Sequence, residues 1–389
     1  MKIVVDEKKI NELLDRGVEN IFVKEELKQK LLSGKRLRVY LGIDPTGPTL
    51  HMGHAIPLKK LKQFQELGHQ AILLMGDFTA MIGDPTDKLA TRRELSHKEV
   101  LENLKKYKKQ AATFLAFSGS NKAEIKFNSK WLAKMNFEDV LKLASRVTVD
   151  QMLKRDMFVR RSEEGKPISI HEFMYPLMQG YDSVALDADV EVGGNDQTFN
   201  MLVGRDLAKE ILHKSKSVIA MKLLEDNTGK KMGKTENNMV AFDDGPEEMF
   251  GKVMSWSDSL IKIGFELCTD IAPESLNFAD NPRDLKMKLA LEIVKVFHGE
   301  EKANEARESF IKTFQRGEVP EDVEEVEARE KPIETLVASG AASSTSAARR
   351  LFDEGAVTDV TENRKLSLKD NFKPGNVYKI GKHRFIKIK

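Results

Sequence analysis

The chain has 389 residues, 40% of them hydrophobic, enough for two or three domains with sizeable cores, which argues against wholesale disorder. Net charge is only +2, so any nucleic-acid signal must be local, and the single cysteine, Cys268, excludes an internal disulfide and a cysteine-built zinc site and fits a reducing cytosol. The first residues lack a signal peptide's apolar run and no stretch approaches the ~20 apolar residues of a membrane span, so a cytoplasmic protein with no membrane partner is expected.

Residues 7–34 read as an amphipathic helix, with Ile10, Leu13, Leu14, Ile21 and Leu27 near helical period. Residues 36–44 read as a strand that Pro45 and Pro48 end. A helix is expected over 53–67, a second strand over 70–75, a long helix over 94–117 and a short strand over 123–127. Residues 137–158 and 168–184 read as helical, 190–192 as a short strand before Gly193-Gly194, and 217–224 as another strand. Alternating strands and helices argue for an α/β domain with a parallel sheet, whose ligands sit at the carboxyl ends of strands. The polar, Gly-rich stretches 42–54, 76–88 and 193–200 fall at such ends.

After about residue 240 a helical region follows, from Pro246 to about Gln315. Residues 316–330 are acidic and read either as a linker or as a solvated helix face. From Lys331 to Lys389 there are twelve Lys/Arg against six Asp/Glu, while residues 1–330 carry −4. That asymmetry fits a basic module contacting nucleic acid through Arg349, Arg350, Lys382 and Arg384, or an ordinary solvated basic surface.

Two short motifs carry chemistry. His51-Met52-Gly53-His54 follows a strand and opens a helix, where free N–H groups and the dipole suit a triphosphate. His51 and His54 point to one side of the turn, and Gly53 admits a flat ring close to the backbone. A metal pair or two surface histidines are the alternatives, although no third ligand is obvious nearby. Lys231-Met232-Gly233-Lys234-Thr235 has two lysines in a Gly-containing loop, fit to hold a leaving pyrophosphate. It ends like a phosphate-binding P-loop, but that motif needs a glycine at 228, which is Thr228.

Together and in this order, the two motifs resemble the HIGH and KMSKS signatures of class I aminoacyl-tRNA synthetases. The whole chain looks like a bacterial-type tyrosyl-tRNA synthetase. The most specific stretches are Gly42-Ile43-Asp44-Pro45-Thr46, Gly83-Asp84-Pro85, Tyr175-Pro176-Leu177-Met178-Gln179-Gly180-Tyr181-Asp182 and Gly193-Gly194-Asn195-Asp196-Gln197. The resemblance implies a Rossmann-like catalytic domain over 1–240, a helical anticodon-side domain over 241–315, an acidic linker over 316–330 and a small α+β RNA-binding domain over 331–389. It implies ATP-dependent activation of L-tyrosine to tyrosyl-adenylate and transfer to the 3′ end of tRNA(Tyr). ATP is then a substrate accompanied by Mg²⁺, with no tightly bound cofactor and no dedicated metal site, and the partner is a second copy in a homodimer.

The resemblance also implies residue roles. Tyr40 and Asp182 read the substrate phenol; a hydroxyl and a carboxylate suit that group and would be left unpaired by phenylalanine. Asp84, Tyr175 and Gln179 hold the substrate ammonium. Tyr175, Gln179 and Asp182 lie at i, i+4 and i+7, on one helical face. Gln197 meets the substrate carboxyl group. Asp44, Gly53, Gly194 and Asp196 contact ATP or the adenylate. Thr46, His51 and His54 act on the γ-phosphate and transition state, and Lys88, Arg92, Lys231 and Lys234 close on pyrophosphate. The sequence departs from common family patterns at Gly233 and Thr235, where serines are usual, at Leu41 and at Thr198. Two other readings are a tryptophan enzyme, against which the Tyr40–Asp182 pair argues, and an RNA-binding protein that kept the fold without catalysis, against which the intact His51, His54, Lys231 and Lys234 argue.

Overall fold

The computed structural model describes residues 3–84, 95–225, 239–315, 323–329, 331–342, 344–362, 364–381 and 384–389. Six strands form the first sheet: β1 (Val18–Phe22), β2 (Arg38–Ile43), β3 (Gln70–Met75), β4 (Glu124–Phe127), β5 (Val190–Gly194) and β6 (Ser217–Met221). Their order is β1-β6-β5-β2-β3-β4. β2 to β6 run parallel, and β1 lies antiparallel on β6. Five of the six residues of β3 and all of β6 are buried, as expected of parallel strands covered by helices on both faces. From β2 the chain proceeds to β3 on one side, while β5 pairs on the other. The carboxyl ends of β2 and β5 therefore flank the switch point where α/β sheets bind ligands.

The five expected strands are all present. The expected helix over 7–34 is instead Glu7–Asp15, then β1, then Lys24–Leu32. Gly17 breaks it, at φ +68°, where a Cβ would lie 2.9 Å from Leu267 Cδ2. Val23 turns the chain again at φ +68°. The expected helix over 137–158 is Phe137–Ala144, Val149–Leu153 and Asp156–Glu163, the first two restarted by capping boxes at Asn136 and Thr148.

The helix Ile170–Ala185 carries Tyr175, Gln179 and Asp182, and two glycines let it press against the helix Thr198–Leu212. A Cβ on Gly180 would lie 2.9 Å from Leu207 Cδ1 and Val203 Cγ1. One on Gly204 would lie 2.5 Å from Ser183 Oγ and 3.3 Å from the Cα of Gly180.

Contacts divide the chain into two compact units, Met1–Asp244 with Trp256–Leu289, and Gly245–Ser255 with Ala290–Lys389. The helical region expected over 241–315 is thus shared between them. The second unit holds a five-stranded sheet of β7 (Glu324–Val326), β8 (Val357–Asp359), β9 (Arg364–Lys365), β10 (Val377–Ile380) and β11 (Arg384–Ile388), ordered β7-β11-β10-β8-β9. Leu336, Phe352, Val357, Tyr378, Ile386 and Ile388 fill its core. The acidic stretch expected as a linker contributes β7, which runs parallel to β11. Its carboxylates face a basic strand: Glu324 meets Arg384 at 2.9 Å and Glu325 meets Lys387 at 2.9 Å.

Candidate active site

The helix Met52–Glu66 begins at His51, whose backbone is still extended. Its Nδ1 accepts the Gly53 N–H at 3.1 Å, and the Nδ1 of His54 accepts the His51 N–H at 3.2 Å. The two histidines thus form a reciprocal capping box. A nitrogen that accepts a backbone N–H carries no proton, so each neutral ring holds its proton on Nε2. Both rings are then hydrogen-bond donors, the polarity that phosphate oxygens require. The flat ring against Gly53 is that of His51: a Cβ there would lie 2.9 Å from His51 Cε1. Among the described residues, no group of three or more His, Cys, Asp or Glu is placed to hold a metal ion, and no helix is long and apolar enough to cross a membrane.

Lys231, Lys234 and their loop lie outside the described residues, as do Lys88, Arg92 and Lys382. The chain just beyond the second motif is nonetheless stitched to the first. His51 bridges Ala241, Met52 N donates to Val240 O at 2.9 Å, and Phe242 N donates to Leu50 O at 2.9 Å.

At the end of β2, Asp44 accepts Thr79 Oγ1 at 2.6 Å and the Tyr175 hydroxyl at 2.8 Å. A Cβ on Gly76 would lie 1.8 Å from Asp44 Oδ1, so no side chain fits there. Burial pushes the Asp44 carboxyl up to about 7; the bonds from Thr79 and Tyr175 oppose this, and the charges of Asp84 and Asp77 add to it. Asp44, expected at ATP, and Tyr175, expected at the amino group, therefore belong to one network.

Deeper in, Asp182 is buried and accepts Trp131 Nε1 at 2.7 Å and Asn128 Nδ2 at 3.3 Å. Burial raises its pKa well above the usual carboxylate range, against those two bonds and with help from Glu191 and Asp44. Tyr40 is fully buried among Ile72, Leu74, Leu186 and Ala188. Its hydroxyl meets Ser183 Oγ at 2.7 Å, one residue from Asp182, rather than Asp182 itself. Gln179 Nε2 donates to Glu191 Oε1 at 3.2 Å. Gln197 Nε2 donates to Asp84 Oδ2 at 2.7 Å, and Gln197 Oε1 accepts Asn200 Nδ2 at 3.0 Å. The face carrying Tyr175, Gln179 and Asp182 thus turns toward the sheet, and each residue meets a different element.

Gly194, at the end of β5, lets Asp196 fold back: a Cβ there would lie 2.5 Å from Asp196 Oδ1. Asp196 and Thr46 face solvent. In the second unit Arg349 and Arg350 are exposed, and the partly exposed Arg384 donates to Ser339 O at 2.6 Å and to Gly340 O as well as to Glu324. Its guanidinium thus helps hold the module together, while its side chain stays 39% exposed. Sequence reasoning missed Thr79, Asn128, Trp131, Ser183, Glu191 and Lys216. A charge inside Val190-Glu191-Val192, in a strand buried on both faces, was the one signal available.

The family described as tRNA synthetases class I (W and Y) matches residues 32–315. A tyrosine–tRNA ligase of Carboxydothermus hydrogenoformans is 46% identical over 99% of this chain and 98% of its own. One of Thermotoga maritima is 46% identical over 97% and 96%, and one of Haemophilus influenzae 44% over 97% and 96%. Among solved structures, a tyrosyl-tRNA synthetase complexed with L-tyrosine from Archaeoglobus fulgidus shares the fold, with TM-score 0.62 and 23% identity, over 78% of this chain and all of that one. A truncated mitochondrial tyrosyl-tRNA synthetase of Aspergillus nidulans has TM-score 0.64 at 23% identity, over 79% and 94%. With a parallel sheet, a histidine-capped helix at its switch point and relatives matched over nearly their full length, the chain belongs to the tyrosine branch of the class I tRNA synthetases.

Proposed function

We propose that the protein activates L-tyrosine with ATP and transfers the tyrosyl group to the 3′ end of tRNA(Tyr). The observation that carries this reading is the buried pair at the switch point. Asp182 and the hydroxyl-bearing Tyr40 are buried, Tyr175 on the same helix as Asp182 bonds Asp44 at the end of β2, and the helix that follows β2 begins with a histidine capping box. Tyr40 and Asp182 take the phenol, and Asp84, Tyr175 and Gln179 take the ammonium. Gln197 takes the carboxyl group. The tyrosine carboxylate attacks the α-phosphate of ATP and pyrophosphate leaves with Mg²⁺. Thr46, His51 and His54, with Lys88, Arg92, Lys231 and Lys234, stabilise the phosphate charge, while Asp44, Gly53, Gly194 and Asp196 hold the nucleotide. Rate comes from positioning and electrostatics rather than from a covalent nucleophile. The terminal ribose hydroxyl of tRNA then attacks the adenylate carbonyl.

Pyrophosphate exchange into ATP, with each amino acid supplied singly, tests this. Exchange with tyrosine is expected; exchange with tryptophan alone would replace the substrate, and none with any amino acid would remove the enzyme reading.

The Asp44 carboxyl gives the reaction a pH dependence. A group raised to about 7 is protonated in the free protein between about 4 and 7. Its stabilising contribution is full below its ordinary range and is lost as pH rises through about 7. Asp44 bonds the Tyr175 hydroxyl that is proposed to meet the ammonium, so the bound cation favours the ionised carboxylate through Tyr175, and KM for tyrosine is expected to fall roughly tenfold from pH 6 to 8 and to level above that. Asp44→Asn should flatten the profile. A flat wild-type profile would contradict the assignment.

The second unit is proposed to carry tRNA contacts through Arg349, Arg350, Lys382 and Arg384, the last of which also braces the module. Arg349→Ala with Arg350→Ala should weaken tRNA binding and reduce the salt slope by roughly 1 to 2, without lowering the melting temperature. Arg384→Ala should instead destabilise the module by about 1 kcal/mol, after allowance for its partial exposure. Filter binding at several salt concentrations and thermal melts separate the two outcomes.

A homodimer working in the cytoplasm completes the reading. Phe137 and Ile170 are 76% and 81% exposed, and Leu141, Val149 and Val159 are exposed too. This density of apolar surface in one stretch supports a partner. Light scattering after gel filtration should show two copies.

A further inference from the structure

Behind the proposed tyrosine pocket lies a charge pair that nothing in the reaction above uses. Lys216 is fully buried just before β6, and Glu191 is buried on the neighbouring β5. The Lys216 ammonium has three protons and three acceptors: Ser183 Oγ at 2.7 Å, Met201 O at 3.1 Å, and Glu191 Oε2. The absence of a side chain at Gly204 makes room, since a Cβ there would lie 2.8 Å from Lys216 Nζ. An apolar pair of similar volume would hold two strands together as well or better. Two charges buried here therefore call for a further reason, and both reach residues of the pocket.

We infer that Lys216 and Glu191 are specificity-determining positioning residues, which through Ser183 and Gln179 fix the hydrogen-bond polarity at both ends of the bound tyrosine. Ser183 Oγ accepts from Lys216, so its own proton must go elsewhere. Glu191 Oε2 lies 3.4 Å away, beyond good O–H···O range, whereas the Tyr40 oxygen is at 2.7 Å. Ser183 therefore donates to Tyr40, and the Tyr40 proton points away from Ser183, toward Glu191 in the free protein and toward the phenol oxygen when tyrosine is bound. Tyr40 becomes an obligate donor to the substrate phenol oxygen. Asp182 is left to accept the phenol proton. At the other end, Glu191 Oε1 accepts Gln179 Nε2. That contact can only be made by the amide nitrogen, so the Gln179 carbonyl oxygen is presented as an acceptor, as an ammonium requires.

This inference rests on the proposed tyrosine pocket, and the experiment separates the two. The probe is 4-aminophenylalanine, whose para group donates hydrogen bonds but accepts poorly. The variants are Ser183→Ala, which cuts the relay and keeps the ion pair, and Lys216→Met with Glu191→Leu, which replaces the pair by apolar residues. Pyrophosphate exchange in the full-length enzyme is read for KM, kcat and the preference for tyrosine. In both variants the preference over 4-aminophenylalanine should fall about tenfold, the size of one lost hydrogen bond. KM for tyrosine should rise by a similar factor while KM for ATP stays put. An unchanged preference in Ser183→Ala overturns the relay, and leaves the ion pair a structural one. Should the double variant fail to fold, Ser183→Ala decides alone. Tyr40→Phe is the control: if it leaves tyrosine binding intact, the pocket reading itself is what fails.

Discussion

Asp182→Asn is expected to cut kcat/KM for tyrosine on the order of a hundredfold, while leaving KM for ATP within about twofold. Asp182 accepts from Trp131 and Asn128 in the free protein and has acceptor capacity left for a third donor. An amide keeps the shape but turns one acceptor into a donor. It then faces either Trp131, Asn128 or the incoming phenol with like polarity. A buried donor left without a partner costs about 1–3 kcal/mol, which is the source of the expected factor. Asp182→Ala should be worse for the fold, because it orphans both Trp131 Nε1 and Asn128 Nδ2. Tyrosine-dependent exchange and a thermal melt on each variant check this. A full kcat/KM in Asp182→Asn would take the residue out of the pocket.

His54→Ala is the second large effect, and its signature differs. It should lower kcat for adenylate formation about a hundredfold or more, with KM for tyrosine little changed, because a donor to developing phosphate charge acts in the transition state. The same side chain caps the His51 N–H, so a stability loss of about 1 kcal/mol should accompany it. The rate loss would far exceed what that destabilisation explains. Single-turnover kinetics beside a denaturant titration separate the two. A rate loss that vanished at low temperature, where the fold is secure, would leave His54 a cap only.

The parallel sheet was legible because its strands are apolar runs bounded by Gly and Pro. β3, Gln70 to Met75, was read to the residue. The helix face of Tyr175, Gln179 and Asp182 was equally legible, since a spacing of four and three fixes direction. Three things were not. Residues 7–34 keep a helical apolar period through β1, and only Gly17 and Val23, both at positive φ, interrupt it. Glu324 and Glu325 look like solvated linker until the basic β11 that they pair with is placed beside them. The Lys216–Glu191 pair joins residues 25 apart, one on β5 and one just before the neighbouring β6, and single-sequence periodicity carries no information about such a register.

β1 guards an edge as well as extending a sheet. β6 is a run of Ser-Val-Ile-Ala-Met with every residue buried, and its outer backbone groups are paired only by β1. Uncovered, that run is an adhesive template for another chain. β1 brings Glu19 and Asn20 to the rim, both exposed, and an irregularity between Val18 and Asn20 that disturbs the ladder. Its partner lies some two hundred residues later, so this seam is a non-local contact that the chain must be long enough to close. A five-residue strand that carries none of the proposed site residues therefore covers an apolar edge. A lesion there would show as insoluble protein, with normal catalysis in whatever fraction folds.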